Sequence, residues 1–141
     1  MINYFPDIRE LVSPEIYAVL GEASWRLIPK SAIESLNHLR ESLGFPLWVN
    51  NWCVGGEFRY SGIRPQDCPE GANLSRHKLT ANHITAFDLK CSDMPRLEKL
   101  IRERFLNYRI CRVENPRITP GWIHIEISDI PMIGPLVVFD P

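Results

Sequence analysis

The chain has 141 residues and a formal net charge of −1, and 45% of its residues are hydrophobic while 23% are charged. This length and composition fit a soluble globular domain with its own core, and we expect residues 1–141 to form a single domain. The sequence has no basic stripe that could neutralise phosphates, which argues against nucleic acid as a partner. It has no apolar stretch near the roughly 20 residues that cross a bilayer, and no secretory signal is visible at the N-terminus.

The N-terminal third predicts helices. Ser13 followed by Pro14 is typical of a helix start, with serine as the N-cap and proline at the first helical position. Ser31 and Glu34 have the spacing of a capping box, which predicts the start of a second helix. Apolar residues then recur at helical spacing at Ile33, Leu36, Leu39 and Leu43. Gly44 predicts the end of this helix.

The remainder predicts strands, one further helix and a long loop. Residues 53–82 are rich in Gly, Pro, Ser, Asn and Asp, and a loop of that length in a small domain is usually functional or disordered. A helix is expected to begin at 92–95, with an apolar face that includes Leu97 and Ile101. Strands are predicted over residues 46–52, 84–89, 109–113, 122–128 and, at the sheet edge, 135–139. The pattern indicates an α+β fold with N-terminal helices and a mainly antiparallel sheet that is covered by one helix.

Two histidines and one aspartate from separate segments are the candidate metal ligands. His77 ends the sequence Ser-Arg-His, Asp88 ends Ala-Phe-Asp, and His124 ends Trp-Ile-His. In the predicted strand 122–128 three isoleucines alternate with Trp122, His124 and Glu126, so His124 is expected to point away from the isoleucine face. Two nitrogen ligands and one oxygen ligand leave one position open on a tetrahedral zinc ion, which is typical of a catalytic site.

The order S-x-H, A-x-D-L and W-I-H-I-E resembles the zinc peptidases of bacterial cell walls. These are the D-alanyl-D-alanine carboxypeptidases and the phage L-alanyl-D-glutamate endolysins, which share a fold with the hedgehog signalling domain. The resemblance covers most of the chain: residues 36–52 look like the family's helix and first strand, and residues 61–65 look like its arginine-bearing segment, S-G-Y-R. It implies a hedgehog/DD-peptidase-like fold and a zinc-dependent peptidase that hydrolyses the peptidoglycan stem peptide.

The resemblance also implies roles for individual residues. Carried over one by one, His77, Asp88 and His124 would bind Zn²⁺. Arg64 would bind a substrate carboxylate or stabilise the oxyanion of the tetrahedral intermediate, and Ser75 would orient the first ligand. Zinc held in this way would lower the pKa of its bound water to about 7 and would polarise the amide carbonyl.

The chain departs from the family in the spacing of the first two ligands. Asp88 lies eleven positions after His77, which is four more than in the motif S-x-H-x-x-G-x-A-x-D. The extra residues lie around 80–83, and an insertion in a loop costs little in closure entropy. His83 lies closer to Asp88 and competes with His77 as the first ligand, although only His77 keeps the S-x-H context.

The general base is a second departure. The family commonly places it two or three residues before the last ligand, where this chain has Trp122 and Gly121, and neither can accept a proton. Glu126 shares a strand face with His124 and is the candidate base, with Glu114 as a more distant alternative. A missing base typically lowers the rate about 10²- to 10⁴-fold.

Several hypotheses about the biological role remain open. The resemblance to endolysins implies a phage-encoded monomer that binds the stem peptide, without a nucleic-acid or membrane partner. It would remain in the host cytoplasm until lysis, or be virion-associated. The insertion and the missing base favour an alternative, a non-catalytic cell-wall-binding or virion-structural module. A third hypothesis is an interaction domain with incidental histidines. The four cysteines form no C-x-x-C pair, and without an export signal we expect reduced thiols.

Overall fold

The computed structural model describes residues 5–70, 76–78, 83–131 and 134–140. Over these residues the fold is α+β, as predicted, with three α-helices and a five-stranded sheet. The helices are α1 (Pro14–Leu20), α2 (Lys30–Leu43) and α3 (Met94–Arg104). The strands are β1 (Leu47–Trp48), β2 (Ile84–Cys91), β3 (Ile110–Glu114), β4 (Ile123–Ser128) and β5 (Val137–Phe139). Short 3₁₀ segments occur at Ile8–Glu10, Gly21–Leu27, Trp52–Val54 and Phe105–Tyr108.

The sheet has the strand order β1-β2-β4-β3-β5. The β1–β2, β2–β4 and β3–β4 pairs are antiparallel, whereas β5 pairs with β3 in parallel, so the sheet is mixed. The β2–β4 pair determines the geometry of the site because its register places Asp88 directly opposite His124. Side chains opposite each other on an antiparallel pair lie on the same face and within contact distance.

The helix ends follow the sequence signals at three of four predicted places. Ser13 caps α1, Asp93 caps α3, and Gly44 ends α2 in the left-handed conformation with φ 77°. The predicted capping box at Ser31 is wrong, because the hydrogen bonds of α2 begin at the Pro29 carbonyl, which accepts from the N–H groups of residues 32 and 33. Ser31 therefore lies inside the helix.

The first predicted strand is much shorter than expected. Of the predicted residues 46–52, only Leu47–Trp48 forms a strand, which pairs with β2. The chain then leaves the sheet because Asn50 bonds to the N-terminal segment, donating its backbone N–H to the Glu10 carbonyl at 2.9 Å and its side-chain amide to the Val12 carbonyl at 3.0 Å. The segment after β1 in turn contacts residue 61, whose N–H donates to Asn50 Oδ1 at 2.9 Å.

The two faces of the sheet have opposite chemistry. The isoleucines of β4, Ile123, Ile125 and Ile127, are buried in one core cluster with the apolar residues of α2 and α3. Strand alternation therefore turns His124 and Glu126 to the other face, as predicted. Among the described residues, no helix is long and apolar enough to span a membrane.

Candidate metal centre

Three side chains converge on the polar face of the sheet. Asp88 comes from β2, His124 from β4, and His77 from the segment that precedes β2. Asp88 Oδ1 lies 2.9 Å from His124 Nδ1 and 3.2 Å from His77 Nε2, and the two nitrogens are 3.1 Å apart. All three ligand atoms lie within 4.8 Å of one another, so this group could hold a metal ion.

His77 is held by the backbone of the arginine-bearing segment. Its Nδ1 lies 2.9 Å from the Gly62 carbonyl, and its own carbonyl accepts the Arg64 N–H at 2.8 Å. A carbonyl can only accept a hydrogen bond, so the proton belongs on Nδ1 and the Nε2 lone pair is left toward Asp88 and His124. The side chain is 3% exposed, and burial lowers the pKa of His77, which favours the neutral form that a metal requires.

His124 faces the cluster with Nδ1 and faces Glu126 with Nε2. Its Nε2 lies 3.3 Å from Glu126 Oε1, and its ring packs perpendicular to Phe139 with the centroids 5.8 Å apart. Burial opposes the charged imidazolium, but the hydrogen bonds to Asp88 and Glu126 outweigh it and raise the pKa of His124 to about 9. Without a metal, His124 is therefore the histidine of this cluster that is positively charged at neutral pH.

Asp88 is the common partner of both histidines. Its Oδ2 lies 3.6 Å from Arg64 Nη2, and its backbone N–H donates to the Ser61 carbonyl at 2.7 Å. Burial opposes the charge, but the hydrogen bond from the protonated His124 outweighs it and holds the pKa of Asp88 well below its usual range. The carboxylate is therefore ionised, as metal coordination requires.

A buried lysine that sequence reasoning missed fixes the segment beside Asp88. Lys90 Nζ donates to the Val49 carbonyl at 2.7 Å, to Ser61 Oγ at 2.6 Å and to the Asp88 carbonyl at 3.1 Å. These acceptors use all three ammonium protons, and burial lowers the pKa of Lys90 to about 8. The one feature of the sequence that could have indicated this role is the position of Lys90 two residues after Asp88, which places both on the same face of the strand.

Arg64, predicted to contact substrate, lies beside the cluster. Besides Asp88, its guanidinium bonds to the Tyr60 carbonyl and to the Glu70 carbonyl, the latter at 3.4 Å. Arg64 and Asp88 line a cavity of about 320 Å³. The aromatic residues Phe58, Tyr60 and Trp122 also line this cavity.

The other predicted residues lie elsewhere. Glu126 contacts the Nε2 edge of His124, opposite the Nδ1 that faces the cluster. Glu114 is on β3, which is separated from the Asp88 strand by β4, and it lies opposite Phe139 of β5. His83, the competing ligand, bonds instead to Asp129 Oδ1 at 3.1 Å and is not in the cluster. Ser75 lies outside the described residues, as do most of the extra residues around 80–83.

The donor set suits zinc, for which two imidazoles and a carboxylate are ordinary ligands that leave a further position open. Comparison of the chain with family models, with curated proteins and with solved structures found no match in any of the three. The resemblance to the cell-wall peptidases therefore stays a prediction that is based on the motif residues alone.

Proposed function

We propose that this chain is a zinc-dependent peptidase that hydrolyses the peptidoglycan stem peptide, of either the D-Ala-D-Ala carboxypeptidase or the L-Ala-D-Glu endopeptidase type. The observation that supports it best is the convergence of His77 Nε2, Asp88 Oδ1 and His124 Nδ1 beside the cavity that Arg64 and Trp122 line. The cell-wall substrate follows from the resemblance of the motifs that contain these residues.

The cluster has the properties that metal binding demands. His77 is kept neutral by burial and by its hydrogen bond to the Gly62 carbonyl, and Asp88 is ionised. His124 must release its proton when the ion binds, so metal affinity rises with pH. Bound zinc would supply Lewis acidity for the scissile carbonyl and a water molecule with a pKa of about 7.

The chain's own residues position the substrate. Arg64 places a guanidinium at the cavity wall, next to Asp88, where negative charge develops on the carbonyl oxygen of an attacked amide. Its bonds to two backbone carbonyls hold the guanidinium in place, so little reorganisation is needed during the reaction. The exposed ring of Trp122 forms part of the same wall and can pack against the peptide.

A second candidate function is a non-catalytic cell-wall-binding or virion-structural module on the same fold. One observation favours it specifically: Glu126, the nearest candidate base by sequence, bonds to the outer nitrogen of His124 and not to the side that faces the cluster. A protein that binds zinc only to stabilise its fold needs no general base.

Digestion of purified peptidoglycan distinguishes these functions. For the peptidase we expect zinc-loaded wild type to release D-alanine or to create new amino termini, and we expect chelator to stop the reaction. His77→Ala and His124→Ala should both be inactive. Sedimentation of the protein with the walls, without released product, would support the binding module. Activity that survives both substitutions would contradict the proposed site.

A further inference from the structure

We infer that Glu126 is a positioning residue that holds His124 Nδ1 toward the metal and is not the general base. This inference rests on the metal binding of the proposed function, but not on hydrolysis. Glu126 is 3% exposed, and its carboxylate lies 3.3 Å from His124 Nε2. A carboxylate at this nitrogen keeps the imidazole proton on Nε2 and so leaves Nδ1 free to bind an ion.

A second contact fixes the carboxylate itself. Arg112 lies opposite Glu126 in the β3–β4 register, and its Nη1 is 3.3 Å from one carboxylate oxygen and 3.4 Å from the other. On the other flank, the residue opposite Glu126 on β2 is Ala86, whose methyl group leaves room for the longer side chain. Glu126 is thus held between a fixed cation and the ring that it orients.

The imidazole is also enclosed from its outer side. The Arg112 guanidinium lies 4.2 Å from the centroid of the Phe139 ring, and that ring is perpendicular to the imidazole of His124. Glu126, Arg112 and Phe139 therefore form one packed unit around the face and the Nε2 edge of His124. Rotation of the ring would break the bond to Glu126 and disturb this packing.

The same geometry argues against a role as base. Nδ1 and Nε2 are on different edges of the imidazole, and the Nδ1 edge faces Asp88 Oδ1 and His77 Nε2. A group that bonds to Nε2 lies across the ring from any ion held by Nδ1. A general base must come within hydrogen-bond reach of the water that it deprotonates.

The test measures zinc affinity and activity separately, in Glu126→Ala and Glu126→Gln. Affinity is determined by competition with a chromophoric chelator, and peptidoglycan hydrolysis is measured at saturating zinc. Glu103→Ala, which removes an exposed carboxylate on α3, is the matched control. Circular dichroism spectra of the metal-free variants verify that they are folded.

If Glu126 positions His124, we expect Glu126→Ala to bind zinc about 10- to 100-fold more weakly than wild type. Glu126→Gln should keep a zinc affinity close to that of wild type, because its amide oxygen still accepts a hydrogen bond from Nε2. The visible spectrum of the Co²⁺-substituted protein should change in the alanine variant only. At saturating zinc both variants should recover most of the hydrolysis.

Unchanged zinc affinity in Glu126→Ala, together with a loss of hydrolysis at saturating zinc in both variants, would overturn the inference in favour of a base. The proposed function fails in a different way. If wild type binds zinc without hydrolysing peptidoglycan, the peptidase proposal is wrong, and the affinities and Co²⁺ spectra still decide the role of Glu126.

Discussion

At the scale of single residues, the three side chains of the candidate metal centre differ in protonation state because their surroundings differ. Asp88 is ionised, His77 is neutral, and His124 is protonated when no metal is bound, because the two carboxylates that face it favour its charged form. The sequence showed that these residue types were present. It could not show which carboxylate faces which nitrogen, since that depends on strand register and on side-chain rotamers.

The protonated His124 predicts a pH dependence of stability in the metal-free protein. Its pKa rises from an ordinary 6.5 to about 9 in the folded state, so its contribution is complete below pH 6.5 and is lost as the pH rises through 9. Between about pH 6.5 and 8 the free energy of unfolding should fall by up to about 2 kcal/mol. Denaturant titration in the presence of chelator measures this change.

The control for this prediction is His124→Gln, which lacks the titrating ring and should lose most of the slope. Other groups act mainly outside this window. The lowered pKa of His77 affects stability mainly below pH 6.5, and Lys90, whose pKa is lowered to about 8, affects stability mainly above pH 8. An identical slope in wild type and in His124→Gln would contradict the assignment.

At the scale of elements, residues 61–64 connect the N-terminal region to the centre. Gly62 and Ile63 run beside Leu11, whose carbonyl accepts the Ile63 N–H at 2.8 Å, while the Gly62 carbonyl accepts from His77. The approach is so close that a Cβ on Gly62 would lie 2.1 Å from the Leu11 carbonyl oxygen. Only glycine fits there without displacement of the backbone.

We therefore expect Gly62→Ala to lower the free energy of unfolding by about 2 kcal/mol or more, since the clash is with backbone and not with a flexible side chain. The same displacement moves the carbonyl that orients His77, so zinc affinity should fall as well. Denaturant titration and chelator competition measure the two effects. Gly121→Ala is the control, because a Cβ there would meet nothing within 4 Å. Equal stability of both variants would show that the segment can shift freely.

The elements themselves were largely predictable from local signals. The cap at Ser13, the start of α3 within residues 92–95, the glycine stop at Gly44 and the alternation of isoleucines in β4 all depend on residues near in sequence, and the structure has them as expected. The capping box at Ser31 was wrong for a local reason, because α2 already begins at Lys30. The wrong extent of the first strand depended on distant contacts. The strand after Pro46 ends early because Asn50 bonds to residues 10 and 12, which no local pattern reveals.

At the scale of the whole molecule, the fold brings together three separate segments, of which the one with His124 lies 36 residues beyond Asp88 in sequence. The order of the candidate ligands was visible in the sequence, but their convergence needed the antiparallel pairing of β2 with β4 and the contact of the His77 segment with Gly62. The fixing roles of Lys90 and Arg112 could not be predicted, because a buried lysine and a half-buried arginine look like ordinary surface charges in a sequence.

We propose that His77, Asp88 and His124 bind one zinc ion. The most direct test is the zinc content of purified, reconstituted and extensively dialysed protein, determined by elemental analysis beside His77→Ala and His83→Ala. We predict about one zinc per chain in wild type and in His83→Ala, and none in His77→Ala, since His83 bonds to Asp129 and not to the cluster. No retained zinc in the wild type, or a loss only in His83→Ala, would contradict the account.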